Sequence, residues 1–160
     1  MNIKTITLSK GYVALVDDED YEDASRFKWS ACEKGHNVYA LRNIRINGKY
    51  HSLYLHRYLM SLSCLGKHID HIDGNGLNNR RENLRLCTNT ENLRNQHSSH
   101  GSSKYKGVSW HKRKKWMARI RVDGVDIYLG VYEEEEAAAR AYDKAAKKHF
   151  GEFANLNFKI

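Results

Sequence analysis

Apolar and polar positions alternate in twos at the start of the chain. In ITLSKGYVALV two short alternating runs flank Lys10 and Gly11, which predicts a hairpin turning at that pair. DDEDYEDASRFKW breaks the alternation with a block of acids and reads as the start of a short helix, whose positive N-terminal dipole suits carboxylates. NVYALRNIRI and KYHSLYLHRYLM alternate again. Asn47-Gly48 between them is a strong hairpin signal, and the second run passes into a helical stretch from Leu55 to Leu62.

The next stretch, HIDHIDGNGLNNRRENLRLCTNTENLRNQ, is organised differently. His68 to His71 is strand-like, with Ile69 and Ile72 as apolar anchors, and a Gly/Asn loop follows. LRLCT is a second strand. Thr88-Asn89-Thr90-Glu91 matches a capping box and places Asn92 in the first turn of a helix. The predicted order is strand, loop, strand, helix. Gln96 to Lys104 (QHSSHGSSK) carries no large apolar residue and reads as a linker.

Beyond it, GVSWH, WMARIRV and DIYLGV predict three strands joined by the basic turn KRKK and by Asp123-Gly124. Trp116, Ala118, Ile120 and Val122 share one face; Met117, Arg119 and Arg121 share the other. In the third strand Ile127, Leu129 and Val131 are expected to oppose Asp126, Tyr128 and Gly130. EEEEAAARAYDKAAKKHF reads as a helix with acids leading and lysines trailing. Its stripe of Ala138, Ala141, Tyr142, Ala145 and His149 is expected on the apolar face of the sheet.

Charge changes the picture most. The 160 residues carry a net charge of +8, and Lys104 to Arg121 holds eight Lys or Arg and no acid. Such concentration is the footprint of a polyanion, usually nucleic acid. The three cysteines (Cys32, Cys64, Cys87) are odd in number and lack a C-x-x-C pair, which argues against a disulfide framework and a cysteine-based zinc site. An intracellular setting is expected, with no signal peptide and no membrane anchor.

The stretch from 68 onward resembles the HNH nuclease family. The residues that carry the resemblance are Asp70-His71, the N-L step at Asn83-Leu84 and the E-N-L step from Glu91 to Leu93. LHRYLM and VALVDDEDYEDASRFKW upstream also resemble segments that precede the motif in such nucleases. The resemblance implies an α+β architecture: a ββα-metal HNH domain with an N-terminal β-rich extension over residues 1–96, then a linker over 97–104. It also implies a chemistry. His71 is the expected general base, because imidazole titrates near neutral pH. Asp70 and Asn92 are expected to supply hard oxygen ligands to a divalent metal, Mg²⁺ first and Mn²⁺ as the alternative. Asn83 is expected to hold the loop and orient His71. Some family members place histidines on the helix and take zinc or nickel; here that helix offers Asn92, with Asn95 and His97 further along. Strand alternation puts His68 on the face of Asp70, as a site residue or a surface histidine. His56 reads as packed or bound to a backbone phosphate rather than catalytic. Asn75, Asn78 and Asn79 read as loop-capping amides.

Residues 105–158 resemble an Apetala-two/ethylene-response-factor DNA-binding domain, a small three-stranded antiparallel sheet on one helix. The resemblance rests on Y-x-G-V, K-W-x-A-x-I, Y-L-G, the A-A-x-A-Y-D segment and the terminal L-N-F. It implies that the sheet enters the major groove, where Arg forks read guanine edges. The implied DNA face is Ser109, His111, Arg113, Arg119, Arg121, Asp126 and Tyr128, with Lys112, Lys114 and Lys115 on the DNA backbone. Arg or Trp often stands in the plant domains where this chain has Ser109, Arg113, Asp126 and Tyr128, so their GC-rich preference does not carry over. Glu133 to Glu136 would repel phosphate at an interface and are expected behind the sheet.

Together these readings imply a metal-dependent DNA endonuclease, of the homing type encoded by phages or mobile elements. Double-stranded DNA is the expected partner, with no membrane and no small-molecule substrate, and the protein is expected to act as a monomer that nicks one strand. The rival is a DNA-binding transcription regulator with an inactive HNH domain; a restriction or packaging nuclease is a further alternative.

Overall fold

The computed structural model describes residues 2–35, 37–60, 67–95, 101–112 and 114–158. Arg113, Cys64, His97, the side chain of Asn95, most of the linker and the end of the helix expected to reach Leu62 lie outside the described residues. Two compact units are present, Met1–Asn92 and Leu93–Ile160.

In the first unit β1 (Ile3–Thr7) and β2 (Val13–Asp17) pair antiparallel. The turn between them puts Lys10 and Gly11 at φ 61° and 76°, a left-handed bend at the expected pair. The acidic helix follows as α1 (Asp18–Ser25). β3 (Ser30–Lys34), β4 (Asn37–Ile46) and β5 (Lys49–Tyr54) form an antiparallel sheet, and β5 runs directly into α2 (Leu55–Leu59). No strand was expected at SACEK. β3 has no buried residue and is a strand because it lies along β4, a long-range pairing that its own pattern does not announce. Ala14, Val16, Ala24, Trp29, Ala40 and Leu55 form the dry centre, and the Trp29 indole donates to the Ala24 carbonyl at 2.9 Å.

β6 (His68–His71) and β7 (Leu84–Cys87) pair antiparallel, with Asp70 opposite Arg85 and His71 opposite Leu84. α3 (Asn89–Asn95) follows. The capping box forms: the Thr88 N–H donates to Glu91 Oε2 at 2.7 Å, and the Glu91 N–H donates to Thr88 Oγ1 at 3.3 Å. Ile69 is buried as expected, but Ile72 lies beyond the strand and is 45% exposed, so it anchors nothing.

In the second unit β9 (Lys115–Val122) is central between β8 (Val108–His111) and β10 (Val125–Tyr132), with α4 (Glu135–Phe150) packed on one face. Two expectations are corrected. The register of β10 shifts between Tyr128 and Gly130, so Val131 pairs with Met117 instead of joining the face of Ile127. A bulge inserts one residue and inverts the alternation after it. On α4, Ala138, Ala139, Tyr142, Ala146 and Phe150 are buried while His149 is exposed. The terminal L-N-F acts as a staple. Asn157 exchanges hydrogen bonds with the Lys106 backbone at 2.7 and 3.1 Å, and the Asn157 and Phe158 N–H groups donate to the Asp143 carboxylate at 2.9 and 3.0 Å.

Candidate active site and nucleic-acid interface

His71 ends β6 and is 6% exposed. Its Nε2 lies 3.5 Å from Asn79 Oδ1, and its ring meets those of His56 and Tyr39 at centroid distances of 4.9 and 6.0 Å. Burial pulls the His71 pKa below its ordinary value, against the contact with Asn79 and the nearby Asp73 and Asp70 charges. Burial thus favours the uncharged imidazole, the form able to accept a proton. His56, on α2, is also buried. Burial first, then His71 and Arg57, push it down to about 3.

The loop from Asp73 to Asn83 is built from amides. Asn83 Nδ2 donates to Asp73 Oδ1 at 2.9 Å and to the Asn78 carbonyl at 2.8 Å, while the Asp73 N–H donates back to Asn83 Oδ1 at 3.0 Å. Burial works against the Asp73 carboxylate, but donors from Asn78, the Asn75 backbone and Asn83 outweigh it and hold its pKa low. Asn78, expected as a capping amide, donates to Asp73 Oδ2 at 2.7 Å, and Asn75 Oδ1 accepts from the Leu77 N–H at 3.1 Å.

Three braces on this loop escaped the sequence reading. Asn37, at the start of β4, donates to the Gly74 carbonyl at 2.8 Å and accepts from the Gly76 N–H at 3.0 Å. β2 runs beside the loop, with the Leu15 N–H donating to Leu77 and the Asn79 N–H to Leu15, both at 2.8 Å. Arg81 grips Asp20 with both arms of its fork at 2.8 and 2.7 Å, and its N–H donates to Asp17 at 2.8 Å. Asp17 makes no side-chain cap on α1; the acids there answer Arg81 as well as the helix dipole. Asp17, Glu19 and Asp20 bring ligand atoms within 4.8 Å of one another, and Arg81 supplies their countercharge.

Asp70 faces Arg85 across the β6–β7 pair, and Arg85 Nε and Nη2 donate to Asp70 Oδ2 at 3.0 and 2.8 Å. Both side chains are nearly buried, so losing either strands a charge, typically a loss of about 3–5 kcal/mol. Arg85 was also missed; a lone charge opposite Asp70 in an otherwise apolar strand was the available signal. Asn92 stands in the first turn of α3, half-buried, its N–H donating to the Thr88 carbonyl. His68 is exposed. The donors at Asp70 and Asn92 are hard oxygens that suit a divalent cation such as Mg²⁺. Burial, then the Asp70 charge, push the nearby Cys87 thiol up to about 11. Cys87 is accordingly expected to alkylate roughly 100-fold more slowly than an ordinary thiol at pH 8, read by mass spectrometry of iodoacetamide-treated native protein. Labelling at the rate of the denatured chain would contradict that burial.

In the second unit, Ser109, His111, Arg119, Arg121, Asp126 and Tyr128 share the sheet face away from α4 with Met117. Arg119, Arg121 and Tyr128 are exposed, Tyr128 by 65%. The Arg121 fork is held by Asp126, with Nε and Nη2 each 3.0 Å from a carboxylate oxygen. Lys112 and Lys114 are exposed, and Lys115 pairs with Glu133 at 2.9 Å. Glu135 and Glu136 lie in the first turn of α4.

Comparison with known proteins agrees with both halves. The family model for HNH endonucleases matches residues 65–94, and that for the AP2 domain matches residues 103–152. An uncharacterized HNH endonuclease of Acanthamoeba polyphaga mimivirus is 34% identical over 154 residues, covering 92% of this chain and 76% of that protein. The chain belongs to the HNH endonuclease family. Its second unit is similar to plant proteins: the AP2-like ethylene-responsive transcription factor PLT2 of Arabidopsis thaliana is 51% identical over 65 residues, 39% of this chain and 11% of that protein. APETALA2-like protein 2 of Oryza sativa subsp. japonica is 44% identical over 60 residues, 37% of this chain and 14% of that protein.

Proposed function

We propose that this protein is a metal-dependent endonuclease that hydrolyses a phosphodiester bond of duplex DNA near a site held by its C-terminal domain. The observation that carries this reading is His71: a buried imidazole at the end of β6, next to Asp70 in the chain and in contact with a loop fixed by amides. In this reading β6, its loop, β7 and α3 are a ββα-metal domain, residues 1–96 with their β-rich extension, tied by 97–104 to an AP2-type domain over 105–158. His71 takes a proton from the attacking water. Asn83 holds the loop and so aims His71. Asp70 and Asn92 hold the divalent cation, which when bound supplies positive charge to the phosphate and leaving oxygens. The biological role is that of a homing endonuclease of a phage or mobile element, acting as a monomer and nicking one strand first.

The test is to incubate purified protein with a supercoiled plasmid library and Mg²⁺ or Mn²⁺, then map breaks. Breaks beside one sequence, with nicked circles preceding linear product and EDTA abolishing both, are expected. Tight binding to that sequence without breaks in either metal would overturn the proposal in favour of a regulator.

The outer sheet face is the proposed reader. Arg119→Ala combined with Arg121→Ala is expected to erase sequence preference, since an Arg on a base edge discriminates by about 1–3 kcal/mol. Of the two single variants Arg119→Ala should cost more, because Arg121 must first leave Asp126. Replacing Lys112, Lys114 and Lys115 should flatten the salt dependence of binding and spare preference. Competition binding against scrambled duplexes separates the two, and a double variant with intact preference would mean the sheet face is assigned backwards.

A further inference from the structure

Freedom from acids is not confined to the second unit. Between Glu33 and Asp70 the chain has no Asp or Glu, while Lys34, Arg42, Arg45, Lys49, Arg57 and Lys67 are basic. The β3–β4–β5 sheet sorts its charges by face. On one face Ala40 is buried and the Arg42 guanidinium lies 3.6 Å from the Phe27 ring centre. Glu33, the one acid of these three strands, is on that face too and pairs with Lys10 at 3.0 Å. The other face runs through Tyr39, Asn43 and Arg45 on β4 and Tyr54, Ser52 and Tyr50 on β5. Contacts confirm it: Ser52 Oγ donates to Asn43 Oδ1 at 3.4 Å, and the Arg45 guanidinium lies 5.9 Å from the Tyr50 ring centre. Lys34 stands over the Tyr54 ring at 5.0 Å on the same side.

This acid-free face starts at the candidate active site. The Tyr39 ring is 6.0 Å from that of His71 and 6.0 Å from that of Tyr54. Exposure then rises along the hairpin. Tyr39 and Tyr54 are half-buried, Asn43, Ser52 and Arg45 are exposed, and Tyr50 near the tip is 77% exposed. Arg45 Nε donates to the Gly48 carbonyl at 3.3 Å, which holds the guanidinium against the turn. Among the described residues Arg45 has no acid partner. A held cation without countercharge, beside an open tyrosine hydroxyl, has the chemistry of a phosphate contact.

We infer that this face of the β4–β5 hairpin is a further DNA contact, lying along the phosphate backbone beside the cut, with Arg45 and Tyr50 at its outer end. It rests on the endonuclease reading and adds to it where the nuclease unit itself grips the duplex. Phosphates carry no base identity, so this grip is indifferent to sequence. Tyr39 to Arg45 is six residues of strand, about 20 Å at ~3.3 Å each. At 3.4 Å per base pair that length covers about six base pairs on one side of the cut.

The experiment titrates full-length protein with a short mixed-sequence duplex in EDTA at several salt concentrations. Arg45→Ala is expected to lower the slope of log affinity against log salt by about 0.9, the loss of one phosphate contact. Arg45→Ala combined with Tyr50→Ala is expected to weaken binding about 10-fold. Lys49→Ala removes the same charge at the same turn but on the opposite face, and should change neither quantity. All three side chains are exposed, so the fold is spared. On the mapped target the double variant should keep its sequence preference and its single-turnover rate at saturating protein. Its half-maximal concentration should rise about 10-fold. Trimming the duplex to fewer than about six base pairs on one side of the cut should weaken the unaltered protein to the level of the variant, and the variant no further. Unchanged slope and affinity in the double variant, or an equal loss from Lys49→Ala, would overturn the inference. The two readings fail differently. A protein that makes no metal-dependent breaks but loses affinity with Arg45 keeps the hairpin contact and is no endonuclease. One that cuts, and binds as tightly without Arg45 and Tyr50, lacks only the hairpin contact.

Discussion

Replacing His71 with alanine is expected to slow DNA cleavage by about 10²- to 10⁴-fold while DNA affinity stays near that of the unaltered protein. A buried imidazole makes little ground-state contact with a duplex, so its loss falls on the chemical step. The measurement is single-turnover cleavage with enzyme in excess, alongside a direct binding curve. Alanine also leaves a void among the His56, Tyr39 and Asn79 side chains, so His71→Gln serves as a second variant that fills the space with a group unable to act as a base. Both variants should be equally inactive and both should melt as folded proteins. If either cuts at the wild-type rate, proton abstraction belongs to another residue.

Gly107→Ala is expected to unfold the second unit and abolish specific DNA binding. Gly107 has φ +75°, where a side chain costs about 1–2 kcal/mol. The added Cβ would fall 1.9 Å from Tyr142 Cδ2 and 2.7 Å from the Arg119 carbonyl oxygen. Tyr142 is 4% exposed in the centre of the α4–sheet core and has no room to retreat, so overpacking adds about 1–3 kcal/mol or more. A unit of this size has a total stability of only about 3–10 kcal/mol. Amide spectra of the full chain should lose the dispersed signals of residues 105–158 and keep those of the first unit. Retention of the dispersed signals and of binding would show that β8 can shift to accommodate the methyl group. The glycine of Y-x-G-V is thus explained by steric closeness to the tyrosine of A-Y-D.

What the sequence showed in advance is confined to short range. The turn at Lys10-Gly11, the hairpin at Asn47-Gly48 and the Thr88–Glu91 capping box each involve residues three or fewer apart, and their chemistry is complete within the window that is read. The strand order around His71 followed from the same local signals. The alternation of β9 correctly put Arg119 and Arg121 opposite Ala118 and Ile120. It failed in β10, where a bulge between Tyr128 and Gly130 gains one residue against β9; Gly130, at φ 124°, was its one local sign. On α4 it was right for Ala138, Ala141, Tyr142 and Ala145, which pack on the core, and wrong for His149, because several alanines allow a slightly rotated stripe that buries Ala139, Ala146 and Phe150.

By itself, then, the sequence singled out the residues proposed to carry chemistry: the Asp70-His71 pair, the loop amides, Asn92 in the first turn of α3, and the basic face of the second unit. Only the tertiary structure decided what those residues touch. Asn37 reaches Gly74 across 37 positions and Asp17 reaches Arg81 across 64, while Arg85 meets Asp70 and His56 meets His71 from separate elements. Periodicity reports which side chains share a face but not which surface that face will meet. Burial, charge compensation and ring orientation at His71 arise from that meeting.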